Sequence, residues 1–115
     1  MATSPQGQLS AATPIALADG VQYAQGSIVS RTLLKTDTGT LTLFAFDEGQ
    51  ELSEHTAPFN AVVQVLDGTT VLMIGGKPVT VQQGEMVLMP ANVPHAVRAG
   101  ARFKMLLTMF RTPQK

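Results

Sequence analysis

The chain has 115 residues, a length that suits one domain closing a single apolar core. Lys and Arg balance Asp and Glu at 8 each, and charged residues reach only 14%, below the ~25% usual for soluble domains. That balance leaves no basic field to gather phosphates, so neither nucleic acid nor an anionic membrane is an expected partner. The absence of cysteine removes disulfides and thiolate metal sites.

Residues 1–13, rich in Ser, Gln, Ala, Thr and Pro, read as a mobile N-terminal tail. They show no basic stretch followed by an apolar run, and nothing in the chain approaches the ~20 apolar residues that span a bilayer. Cytoplasm is the expected compartment. Residues 14–115 read as one domain of short apolar runs separated by Gly, Pro and Asp. Strands are predicted at 27–35, 40–46, 61–66, 70–74, 79–81, 86–89, 95–98 and 103–110, where Val, Ile, Leu, Thr and Phe dominate. Several alternate with a period of two: Phe103, Met105, Leu107 and Met109 share one face of the last run. Asp37-Thr38-Gly39, Asp67-Gly68 and Gly75-Gly76 supply turn chemistry. No window carries a capped helical stripe. Many short strands at short spacing predict an all-β sandwich or barrel.

Some of these strands are apolar on both faces. Phe44 and Phe46 alternate with Leu41, Leu43 and Ala45, and Val62 and Leu66 alternate with Val63 and Val65. One face fills the interior; the other needs a second sheet or another subunit, so a homodimer is expected.

Two spacings stand out. The first is Gly49-x5-His55-x-Ala57-x3-Ala61-x6-Gly68, and the second is Gly84-x5-Pro90-x-Asn92-x2-His95. Together they resemble the two motifs of the cupins. In that family a Gly precedes a His-x-His pair, an acidic or amide ligand and a hairpin-closing Gly; later comes Gly-x5-Pro-x-Gly-x2-His. The resemblance covers residues 49–95, with strands on either side. It implies a double-stranded β-helix, a jelly-roll or cupin barrel of two antiparallel sheets, with a divalent transition metal inside. Asn92 stands where the family has Gly, and Asn tolerates positive φ best after Gly.

The chain departs from the family at Ala57, in place of the second His, and at Ala61, in place of the carboxylate or amide. His55 and His95 are its only histidines. They are the candidate metal ligands, and two imidazoles fall short of the three protein ligands common in catalytic zinc sites. Gln64, a polar residue in an apolar run, is a candidate ligand-contacting side chain. Strict alternation puts it on the face opposite Ala61 and Val63, so it needs a bulge to reach His55. Ala57, Ala61, Val63 and Met89 are the expected apolar lining. Methionines at 73, 86, 89, 105 and 109 supply either core or a soft, polarizable pocket. The acids Asp47, Glu48, Glu51 and Glu54 read as a solvated loop, and Arg98 as surface.

Two functions of different class remain open. One is a small-molecule-binding barrel with a degenerate two-histidine site. The other is the metal-dependent oxygenase- or isomerase-like enzyme that the resemblance implies, with solvent or substrate completing a weakly held metal's shell. A third, a purely structural barrel, predicts a filled interior.

Overall fold

β-Branched and aromatic residues at alternate positions bury one side of a strand and leave the other to be covered. The computed structural model describes residues 7–111. Residues 1–6 of the expected tail and 112–115 of the expected domain lie outside them. Within this span one 3-10 turn, Leu17–Gly20, precedes nine strands: β1 (Ile28–Thr36), β2 (Gly39–Phe46), β3 (Glu51–His55), β4 (Asn60–Asp67), β5 (Thr69–Ile74), β6 (Lys77–Gln82), β7 (Met86–Met89), β8 (His95–Arg98) and β9 (Phe103–Phe110). The pairings are antiparallel. One sheet runs β1-β2-β9-β4-β7 and the other β3-β8-β5-β6. From β2 onward the chain passes repeatedly from one sheet to the other, which makes the fold a double-stranded β-helix.

Eight of these strands occupy the segments that the alternation predicts. The exception is β3, which the acidic residues around it disguise as a loop. It lies at the edge of the smaller sheet, pairs only with β8 among the described strands, and buries little beyond Leu52. Charged side chains are what an edge strand presents to water. At the opposite edge, β6 accommodates Pro78, whose missing N–H is harmless there.

The inner faces meet in a core that includes Phe46, Val63, Leu72, Phe103 and Met105. A second cluster lies on the outer face of the larger sheet, where Leu33, Leu43 and Ala45 are covered by Val21, with Ile15, Leu17 and Tyr23 packed beside them. Part of the outer apolar face expected to need another subunit is thus covered by the chain's own N-terminal segment. Gly20 permits this close approach, since a Cβ there would come within 2.6 Å of Leu43 Cδ1. The Tyr23 hydroxyl donates to Asp67 at 2.6 Å, and its ring lies under the Arg102 and Lys104 cations at 4.8 and 5.0 Å. The buried Lys104 ammonium donates to the Ala18 carbonyl. Burial and the Asp67 carboxylate both push the Tyr23 phenol up, so it stays protonated and donating.

Asp47 ties the end of β2 to two other segments. It accepts from Arg102 Nε at 2.8 Å and from the Gly26 N–H at 2.6 Å. The Arg102 bond chiefly, with the backbone N–H groups, holds its carboxyl at about 2, below the ordinary 3.8. A carboxylate depressed in the folded state binds fewer protons there than in the unfolded chain. Its contribution is therefore complete above about pH 4 and fades as pH falls through about 2. Thermal melts from pH 6 to 2 should show a smaller acid-induced loss in Asp47→Asn than in the wild type. Parallel curves would show that this ion pair contributes nothing.

Candidate functional site

β3 and β8 are hydrogen-bonded neighbours whose register sets His55 directly opposite His95. Leu52 and His55 are three residues apart, and in a regular strand they would face opposite ways. The register of β3 shifts between them, and this bulge turns both side chains into one cavity. On β8 no shift is needed, because His95 and Val97 share parity and both line it.

The loops that carry the histidines are tied to each other. The Asn92 N–H donates to the Ala57 carbonyl at 2.8 Å, and the Ala91 N–H donates to Asn60 Oδ1 at 2.9 Å. Asn92 adopts φ 64°, so it takes over the left-handed position expected of it. Asn60 is the less obvious member, a positioning residue whose side chain replaces a backbone partner.

The cavity between the sheets holds about 70 Å³, so the interior is not filled as a purely structural barrel predicts. Of the expected residues, His55, His95, Ala57, Ala61 and Met89 line it. Two do not. Val63 faces inward but is sealed in the core at 0% exposure. Gln64 is on the outer face, where its register partners are Met86 and Leu106. The bulge that would have turned it falls between Val65 and Asp67, beyond Gln64. Met105 and Met109 complete the thioether lining and Phe44 and Phe59 add aromatic walls. The parity of β9 already placed Met105 and Met109 on one face; Phe59 sits in a loop, where no periodicity marks it.

The imidazoles meet edge to face, with centroids 4.3 Å apart and Nε2 atoms 3.1 Å apart. His55 Nδ1 lies 2.9 Å from the Ser53 carbonyl, and His95 Nδ1 lies 3.3 Å from the Val93 carbonyl. A carbonyl only accepts, so each Nδ1 carries a proton and donates. In the neutral rings both Nε2 atoms then present lone pairs across the gap, a repulsive arrangement that a proton, a donor or a cation relieves. Burial depresses the His95 pKa first, the Val93 bond opposes this in part, and the charge on His55 depresses it further. A donor or cation supplied from outside relieves the facing lone pairs without placing a charge on the buried His95.

A divalent ion of the kind the cupin motifs imply does not fit. Methyl groups stand at 57 and 61, and among the described residues no group of three or more His, Cys, Asp or Glu is placed to hold a metal. Among the described residues no carboxylate lines the cavity to offset a double charge.

A family model described as a cupin domain matches residues 42–109. No curated protein matches the chain. Among solved structures, a conserved protein of unknown function from Streptococcus pyogenes is 32% identical, with a TM-score of 0.87 over 99% of this chain and 100% of that one. A cupin 2 conserved barrel domain protein from Leptotrichia buccalis is 42% identical, with a TM-score of 0.80 over 83% of this chain and 46% of its own. A cupin superfamily protein from Desulfitobacterium hafniense is 23% identical and shares the fold, with a TM-score of 0.85 over 93% of this chain and 98% of its own.

Proposed function

The chain belongs to the cupin family, and within it we propose a small-ligand-binding module in place of an enzyme built on the family's divalent metal. The observation that carries this reading is the pair of accepting Nε2 atoms, 3.1 Å apart, on the wall of an otherwise apolar cavity. Such a wall selects a compact apolar molecule bearing one hydrogen-bond donor, because a few convergent polar groups fix orientation while apolar burial supplies affinity. Ala57 and Ala61 make room where the family has ligands.

Phenol and toluene test this directly, being alike in shape and differing in the donor. In NMR titrations phenol should shift the imidazole signals of His55 and His95 and the methyls of Met89 and Met105. It should bind about fivefold to tenfold more tightly than toluene, the value of one hydrogen bond. His55→Ala/His95→Ala should erase that preference with the fold intact, and Ala61→Leu should abolish both bindings by filling the space. Equal binding of the two probes to the wild type, or no binding of phenol, overturns the reading.

For the protein partner we propose a second copy of this chain. The N-terminal segment leaves Met86 and Leu88 63% and 52% exposed on β7, the edge strand of the larger sheet. An edge strand can pair antiparallel with its own copy about a twofold axis, which would bury both apolar side chains. Sedimentation of the wild type should give a dimer, and Leu88→Glu a monomer with an unchanged melting profile. A monomeric wild type at tens of micromolar would retire the proposal.

A further inference from the structure

Two methionines are strand neighbours of Ala61, the position where the family has a carboxylate or amide. In the β-sheet register Ala61 is the partner of Met89 on one side and of Met109 on the other. All three face the cavity, and Met105, two residues before Leu107 on the same face of β9, lines it as well. The position of the family's carboxylate is thus flanked by two cavity-lining methionines, while the opposite sheet offers two imidazoles. Met89 and Met105 are buried at 4% and 2% exposure. Their unbranched stems leave the sulfur adaptable.

We infer that this cavity binds a soft monovalent cation, with Cu(I) as the ion, through His55 Nε2, His95 Nε2 and the thioethers of Met89 and Met109. Three observations agree. Metal–imidazole bonds of about 2.0–2.1 Å at a tetrahedral angle put two nitrogens roughly 3.3 Å apart, and the Nε2 atoms stand 3.1 Å apart. Each ring donates its other N–H to a backbone carbonyl, as metal-bound imidazoles do, which fixes the ligating tautomer. Thioether sulfur selects Cu(I) over harder divalent ions. Charge points the same way. All four donors are neutral and, among the described residues, no carboxylate lines the cavity to offset the ion's charge. The cost of desolvating an ion grows with the square of its charge, so beside the buried His95 and Met89 a single charge costs less than a double one.

The inference rests on reading the histidine pair as the cavity's binding group, and the experiment separates the two. Cu(I) is offered anaerobically to the full chain against a chromogenic Cu(I) chelator, with Zn(II) and Mn(II) offered in parallel. One Cu(I) per chain is expected, with sulfur scattering in its X-ray absorption spectrum and no stoichiometric uptake of the divalent ions. Met89→Leu/Met109→Leu should weaken Cu(I) at least tenfold while the far-ultraviolet circular dichroism and the His55–His95 imidazole signals of the metal-free protein stay as in the wild type. Protein grown with norleucine in place of methionine should behave likewise, which guards against misfolding of the double variant. Copper retained with unchanged affinity after loss of the sulfurs, or Zn(II) bound as tightly as Cu(I), overturns the inference. If copper is not taken up but phenol binds, the soft-cation assignment alone fails. If neither binds, the reading of the histidine pair fails with it.

Discussion

Replacing Phe103 by alanine is expected to destabilise the domain by about 3–5 kcal/mol, the range for emptying a fully buried aromatic position. Phe103 on β9 and Phe46 on β2 are register partners at 0% exposure. Their rings stack with centroids 4.6 Å apart and planes 12° apart, an arrangement that contributes roughly 0.5–1.5 kcal/mol beyond the area it buries. A loss of that size is a large share of the 5–15 kcal/mol that holds a typical domain together. Urea unfolding measures it, and the midpoint should fall without a change in slope. Binding should follow, because β9 also carries Met105 and Met109 to the cavity. A loss under about 1 kcal/mol would mean that neighbouring strands collapse into the vacated space.

Gly68→Ala is expected to cost about 2–4 kcal/mol through two separable effects. Gly68 closes the turn from β4 to β5 at φ +78°, a region that costs an L residue roughly 1–2 kcal/mol. An added Cβ would also stand 2.5 Å from the Arg102 carbonyl oxygen and 3.2 Å from Phe103 Cβ. The first of these atoms is backbone and cannot rotate away, so the strand entry itself must move. Gly76 is the control: its φ is +79°, but nothing lies within 4 Å of the position its Cβ would take. Gly76→Ala should therefore show the conformational cost alone, and the difference between the two variants isolates the clash. Equal losses would show that the β4–β5 turn relaxes freely. Because Gly68 abuts Phe103, the losses from Gly68→Ala and Phe103→Ala are expected to be coupled, which a double-mutant cycle measures.

The glycine at 68 and the aromatic at 103 illustrate what was legible in one dimension. Turn residues and period-two runs located eight strands, since backbone conformation at Gly and side-chain alternation are local properties. The spacing from Gly49 to His95 carried the family, its jelly-roll sheets and the two histidines. The same spacing showed that Ala57 and Ala61 depart from it. Asn92 was readable as a left-handed residue for the same local reason.

Other features depend on contacts between distant segments. Parity states that Phe44 and Leu43 face opposite ways but not which of them looks inward. That was decided when residues from Ile15 to Tyr23, which have no periodic pattern, packed over Leu43 and Ala45. At β3, which reads as a loop, parity would have misled in any case, because a bulge that no residue announces turns His55 toward His95. It held for Gln64, which the register keeps outside. The clustering of methionines around Ala61 is likewise a matter of register across β7, β4 and β9. Eight of the nine strands, the family and the loss of the usual metal ligands were readable from the chain alone, because each is written in short-range spacing. The facing of His55 and His95, and the methionines on the opposite sheet, came from the assembled barrel, because pairing between strands tens of residues apart is set by the packing of the whole.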